Sequence, residues 1–496
     1  MTASLLCDRE MRKNPRQRLL LLCGLPRLLA ALLISAVLLA PNTGQAGDAR
    51  SYTFDTYSNW VQKYRDAKPD FKPGDVLTSR DIERMRPFVP PGFLEDLDFP
   101  EFQAPIIATR NNTPRQDFVN CTEKYQSQVK LLPNGALANY VCGQPIADSS
   151  INTSDPTSGI KAAWNFNFRW QHYGITKCAP VITWARFPGT HAGYAPNYEN
   201  PPQDWVAGVG GWTFEHPGMD EMASIYGGGG ALERTLQLFY SRLYYTHLAP
   251  LSEKGGVLPI EEAPNFEFKE FDGFFSPFDI RGTAFVTYRY ADAGRADDAW
   301  AYLPTLRRVR RISIEVKSDS LLGTDHTLED FYGFTGRPLE WDWHFLGWKD
   351  VLTVMDSKYD FQRTYGPKGI VPNDQWQLRR FAVVQRIPKN PRHTYGSVIN
   401  FWDAENWDSF YEVAFDRHGR LWKLWFYPKR WSEDFEHPYY AQINHGTQVT
   451  NFQGVQVEDV QNNHATVWPC YCGYPVPDLK VLPVFLSASK LEEIHR

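Results

Sequence analysis

Catalysis needs reactive side chains at workable spacing, and the acids and the twelve histidines of this chain supply little of it. A hydrolase sets a nucleophile beside a base, or two carboxylates across a cleft. No G-x-S-x-G occurs, and Gly189-Thr190-His191-Ala192-Gly193 puts histidine where the nucleophile belongs. H-E-x-x-H is absent as well. His216, His326, His344, His418 and His437 each lie within two residues of an acid, but none pairs with another histidine at metal-ligand spacing. They read as surface or capping groups. Glu405, Asp408 and Asp416 form a carboxylate pair only if the fold gathers them. Trp341-Asp342-Trp343-His344 suits either an edge strand or a sugar platform. The GVGGW run and Gly227–Gly230 lack the Lys-Ser/Thr of a phosphate cradle and read as a flap. The expectation is a protein that is not an enzyme and uses no cofactor or metal.

Binding chemistry is better represented. Aromatic residues make up 15% of the chain and sit mainly in strand-like runs. Arginines cluster at Arg307, Arg308, Arg310 and Arg311, and again at Arg379 and Arg380. Guanidinium forks grip phosphate and carboxylate, so the first cluster is the candidate contact for an anionic group. The alternative is a solvated strand face.

The elements that must position these groups are mostly strands. In 283–290, Ala284, Val286, Tyr288 and Tyr290 take one face and Thr283, Phe285, Thr287 and Arg289 the other. ADAGRADD then breaks the strand, Trp300 and Tyr302 share a face of the next, and Pro304 ends it. A third strand runs to Val316. This meander predicts an antiparallel sheet, continued by LQLFYSRLYYTH, WKDVLTVM, QLRRFAVVQRI, SVINFWDA, DSFYEVAFD and RLWKLWFYP. Asp416-Arg417-His418-Gly419 reads as the hairpin turn between the last two. SGIKAAWNFNFRW has the spacing of an amphipathic helix, and Ser79 is a candidate cap for RDIERMR.

The N-terminus has a basic stretch from Arg9 to Arg18, an apolar run Leu28–Ala40, and small residues before Gly47. That is the pattern of a cleavable signal peptide spanning residues 1–46, leading to the periplasm. Its removal leaves 46 basic against 55 acidic residues, a net charge of about −9, which argues against nucleic acid as a partner. Five cysteines then remain in an oxidising compartment. Cys121 and Cys142 flank a segment centred on Asn134-Gly135 and are expected to bridge as the ends of a hairpin. Cys178 is expected to pair with Cys470 or Cys472.

Three runs carry a resemblance: RGTAFVTYRYADAGRADDAWAYLPTLRRVRRI, GTDHTLEDFYGFTGRPLEWDWHFLGWKDVL and FWDAENWDSFYEVAFDRHGRLWKLWFYP. Together with SGIKAAWNFNFRW they resemble a Gram-negative family of exported proteins of unknown function. That family is grouped with outer-membrane lipoprotein-sorting proteins of the LolA/LolB-like kind. The run Trp300, Tyr302, Pro304 and the arginines after it are similar to a strand of that wider group, and the resemblance covers roughly residues 140–430. The family's Pro-Phe-Pro run is represented here only by Gly143-Gln144-Pro145-Ile146. The resemblance implies an α+β, β-dominated fold: a half-open antiparallel β-barrel with helices packed in its concave face. It also implies a cavity for a lipid, lipoprotein acyl chain or other hydrophobic small molecule, and an outer-membrane barrel or inner-membrane exporter as partner.

The expected organisation is a signal peptide (1–46), a helical and loop extension with the cysteine hairpin (47–140), a sheet body (141–465) and a tail (466–496). Candidate ligand-binding residues are Phe285, Tyr288, Trp300, Tyr302, Trp422 and Trp425. Alternation puts Phe285 opposite Tyr288 and Trp422 opposite Trp425, so only part of the set is expected to line a cavity. The alternative is a periplasmic glycan-binding or polysaccharide-processing protein using Trp341, Trp343 and Trp402 as stacking platforms.

Overall fold

Alternating apolar residues and closely spaced turns build one large antiparallel sheet. The structure is a computed structural model. It describes residues 50–170, 174–178, 181–186, 231–312, 318–360, 362, 364–469, 472–474, 477, 479–480 and 486–491. The segment expected to be a signal peptide, nearly all of the glycine-rich run read as a flap, and Cys470 lie outside the described residues.

Fifteen described strands join in this sheet. The first seven are β1 (Ile175–Cys178), β2 (Val181–Arg186), β3 (Ala231–Tyr244), β4 (Phe266–Ser276), β5 (Ala284–Tyr290), β6 (Asp298–Leu303) and β7 (Arg308–Ile312). The next are β8 (Trp341–Thr353), β9 (Gln377–Pro388), β10 (Ser397–Asp403), β11 (Ser409–Phe415) and β12 (Leu421–Phe426). Last come β13 (Gly454–Asp459), β14 (His464–Pro469) and β15 (Cys472–Gly473). The strands run β7-β6-β5-β4-β3-β2-β14-β13-β12-β11-β10-β9-β8, with β1 beside β3 and β15 beside β1. Two meanders are thus stitched together where β2 meets β14. The edges are β7 and β8, and they do not pair with each other, so the sheet is not closed into a barrel.

This order dictates the rest. β7 ends at one edge and β8 begins at the other, so the connection between them must traverse the width of the sheet. It does so across one face, and residues 318–340 are its described part. We call this crossing segment the strap.

Of the meander expected at 283–316, the described residues form β5, β6 and β7, with Trp300 opposite Val286 and Tyr302 opposite Val309, and residues 313–316 lie outside them. The hairpin at Asp416–Gly419 is also present, closed by Asp416 N–H to the Arg420 carbonyl.

Helices lie on both faces of the sheet, a correction to their expected gathering in a concave mouth. α1 (Phe54–Lys63) packs Tyr57, Trp60 and Val61 into a core with Phe381 and Val383 of β9. The alternate residues Ala382 and Val384 join a second core with Ala162, Ala163 and Phe166 of a helix at Ser158–Asn167. Neighbouring strand residues point to opposite faces, so the two helices sandwich the sheet. The second helix comes so close to β8 that a Cβ at Gly159 would lie 2.4 Å from the Trp343 carbonyl carbon. Only glycine fits there.

Two local expectations shift. The cap before RDIERMR is Thr78, which reciprocates hydrogen bonds with Asp81, in place of Ser79. Cys121 and Cys142 are bonded with Cα atoms 5.6 Å apart. Cys121, however, lies in a helix (Gln116–Tyr125), and the small hairpin of Lys130–Leu131 with Leu137–Ala138 sits inside the loop. Cys472 is also disulfide-bonded, and its backbone stands directly across the ladder from Cys178.

Candidate functional site

The strap has no helical or strand periodicity, and side-chain contacts hold it down. A capping box starts its tightest turn: the Asp330 carboxylate accepts from Thr327 N (2.9 Å) and Oγ1 (2.8 Å). Tyr332 then adopts φ +58° and Gly333 +88°. A Cβ on Gly333 would lie 2.3 Å from that of Ser409, so the chain touches β11 at a residue that must be glycine.

Apolar anchoring centres on Phe331, whose ring stacks on Tyr240 (5.5 Å) and meets Trp468 edge-on (4.9 Å). The core beneath the strap includes Trp425, Val457 and Phe274, with Phe285 and Trp422 packed against it.

Polar anchoring is unusually charged for a buried interface. Arg386 of β9 donates to the Gly333 carbonyl (3.1 Å), Asn400 Oδ1 (3.2 Å) and Glu412 Oε1 (3.3 Å). Its Nη2 lies 3.9 Å from Asp330, which also accepts from Tyr395 Oη at 2.9 Å. Glu329 meets His393 at 2.7 Å, and Asp325 meets His464 at 2.6 Å. Trp425 Nε1 donates to His326 Nδ1 (3.3 Å), and burial pushes that imidazole down to about 4. At the strap's end, Arg289 and Arg337 share Asp297 at 2.9 and 2.8 Å. Buried charges tolerate such a place only when paired and hydrogen-bonded. Nearby on β4, burial, reinforced by the Glu270 charge, raises the Asp272 carboxyl well above the usual range.

The Glu412 carboxyl is raised to about 8, chiefly by burial, with the Arg386 charge opposing. In the unfolded chain it ionises near its ordinary value of 4.5. Its contribution to stability is therefore complete below that value and is lost as pH rises from about 4.5 to 8. Glu412→Gln cannot ionise. Its stability relative to wild type is expected to climb by on the order of 3 kcal/mol between pH 5 and 8, measured by urea unfolding at several pH values. A pH-independent difference would contradict this.

Beside Tyr332 the strap borders a cavity of about 60 Å³. Its rings are Phe168, Trp170, Tyr244, Tyr332, Phe452 and Tyr474, and its charged groups include Arg169 and Asp408. Arg169 Nε stands 3.2 Å from Asp408, which also binds Lys429 at 3.1 Å. The Asp408 carboxyl is buried, which alone would raise it, but Lys429 and Arg169 hold it below its ordinary value. Tyr332 packs against the strap core as well as walling this cavity, so the two are continuous.

None of the six ligand candidates from sequence lines this cavity. They divide between the faces. Phe285, Trp422 and Trp425 lie under the strap. Tyr288, Trp300 and Tyr302 lie on the opposite face with Leu486 and Leu491, where Tyr288 Oη accepts from Ala488 N at 2.7 Å. Trp422 does not oppose Trp425 as expected. Ala414 pairs with Lys423 and Phe415 with Leu421, so Trp422 is the extra residue of a bulge. Both rings consequently reach Tyr395, at 5.6 and 6.0 Å.

The arginines of β7 are exposed on an edge strand, with Arg311 bound to Asp298. Arg379 is instead buried between Asp403 and Glu405. Trp341, Trp343 and Trp402 are all buried and present no ring to a sugar. Glu405, Asp408 and Asp416 each pair with a different cation: Arg379, Lys429 and Arg420. Among the described residues, no group of three acids, histidines or cysteines is placed to hold a metal, and no helix is long and apolar enough to cross a membrane.

The model of a family described as a protein of unknown function (DUF1329) matches residues 76–186 and 227–478. The chain belongs to the DUF1329 family. No curated protein matches it. A solved DUF1329 protein from Desulfovibrio piger is 16% identical with a TM-score of 0.41, covering 68% of this chain and 99% of its own. A putative outer membrane lipoprotein-sorting protein domain from Vibrio parahaemolyticus is 14% identical with a TM-score of 0.40, covering 68% and 100%. A LolA superfamily protein from Nitrosomonas europaea is 13% identical with a TM-score of 0.32, covering 64% and 93%. The match of this DUF1329 chain to its family includes the strap, Arg386 and Glu412.

Proposed function

We propose that this protein is a periplasmic carrier or chaperone that shelters a lipid, an acyl chain or a similar hydrophobic ligand between the strap and the sheet. One observation carries the reading: a cavity walled by six aromatic rings runs, through Tyr332, into the apolar core beneath the strap. Such a lining favours apolar ligand surface at roughly 25 cal/mol per Å² and needs no catalyst. Ligand pockets usually enclose about 300–1,000 Å³, far more than the 60 Å³ found here. Loading an acyl chain therefore requires the strap to lift. A segment held by side chains, with few ladder hydrogen bonds of its own, is the kind that opens locally. The signal-like N-terminus supports delivery to the periplasm, where an outer-membrane barrel or an inner-membrane exporter would pass the ligand on.

Native mass spectrometry of protein purified from periplasm should show a bound lipid-sized mass, and the delipidated protein should take up a fluorescent fatty acid. Repeatedly ligand-free protein that also fails to take up the probe would sink the proposal.

A further inference from the structure

Four large hydrophobic side chains are exposed among the described residues: Val76, Leu132, Phe278 and Leu306. Two of them share one end of the sheet. Phe278, 90% exposed, lies in the turn between β4 and β5, and Leu306, 47% exposed, in the turn between β6 and β7. The ladder fixes their proximity. Gly273 faces Ala284, Ala284 faces Tyr302, and Leu303 faces Arg308 across successive strands. At about 4.8 Å between strands, the two turns stand on the order of 10 Å apart.

The charge around these turns is one-sided. Arg281, Arg307, Arg308 and Arg310 are exposed, and among the described residues no acid forms an ion pair with any of them. The acid in the first turn, Asp279, is bound to Arg234. The chain as a whole carries 57 acidic against 52 basic residues, so these two turns are basic against the sign of the molecule. Ile280, in the same turn as Phe278, packs against the core beneath the strap.

We propose that this end of the sheet docks on the surface of a membrane containing anionic lipid. Phe278 and Leu306 enter the headgroup layer, and the four arginines pair with lipid phosphates. Apolar tips ringed by guanidinium groups are the composition of an interfacial anchor. Two isolated tips make a poor protein interface, which needs a broad packed patch. Docking would bring the bilayer against the margin of the strap core. The proposal rests on the surface alone and not on the carrier reading.

The test is co-sedimentation of the full mature protein with vesicles of phosphatidylethanolamine and phosphatidylglycerol, beside vesicles of phosphatidylcholine. Binding to the anionic vesicles is expected, falling as salt rises. Phe278→Ser with Leu306→Ser should weaken it about tenfold or more. Arg307→Glu with Arg308→Glu should weaken it at least as far and flatten the salt dependence. Thermal unfolding should be unchanged in both variants, since all four side chains are exposed. No association with anionic vesicles, or association undiminished in both variants, would overturn the proposal. So would crosslinking of this end to an acidic protein without vesicle binding. Uptake of the fluorescent fatty acid from solution reports on the carrier reading separately and should survive both pairs of substitutions.

Discussion

Replacing Arg386 with methionine is expected to destabilise the protein by about 3–5 kcal/mol, the usual result of stripping one partner from a buried ion cluster. Arg386 is fully buried, and it faces Glu412, Asp330, Asn400 and the Gly333 carbonyl together. Without it, two buried carboxyls lose their cation and the strap loses a direct bond to β9. The loss should be greater at pH 8 than at pH 5. Glu412 titrates near 8, and its ionised form is the one that most needs the guanidinium. Adding Glu412→Leu to Arg386→Met should recover part of the stability, since removing both sides of a buried pair costs far less than removing one. Urea unfolding at the two pH values decides it. A loss below about 1 kcal/mol would place Arg386 among ordinary polar groups.

Phe331→Ala separates the two faces of the sheet. Truncating a buried phenylalanine costs about 3–5 kcal/mol through lost transfer energy and the cavity left behind. Here that cavity opens against Tyr240, Trp468 and His326. Amide exchange should accelerate across residues 320–337, and uptake of a fluorescent fatty acid should become faster as the strap lifts more often. Tyr288→Ala provides the control, since Tyr288 packs on the other face with the C-terminal segment. It should lower the melting temperature without changing the uptake rate. Slower uptake in Phe331→Ala, or equal acceleration in Tyr288→Ala, would remove the strap from the ligand's path.

The sheet was legible in the sequence because its information is local. Period-two alternation in 284–290 and the breaker ADAGRADD fix strand and turn without reference to anything distant, and the register agrees. The helix at Ser158–Asn167 was visible for the same reason. The strap was not. HTLEDFYGFTG has no period, and the strap's partners lie far off in sequence: Arg386 is 53 residues from Gly333, His393 64 from Glu329 and His464 139 from Asp325. Within QLRRFAVVQRI, Arg386 looks like any polar residue on a strand, and only the crossing chain makes it a buried anchor. The one local hint was Thr327 with Asp330 three residues on, a capping signature that announces a turn with a purpose. Face assignment failed at Trp422 because a bulge inserts a residue that alternation does not foresee.

The seam between β2 and β14 also sets an order of events in assembly. Thr183 pairs there with Val467, across more than half of the chain. Contacts so distant in sequence form late and slowly. Each meander can zip up on its own from hairpins, but neither offers the strap a complete bed. Tyr240 comes from one meander and Trp468 from the other, and Phe331 needs both. The strap is thus expected to settle last, and a chain cut short before residue 464 should stay open along that face even with most of its strands in place.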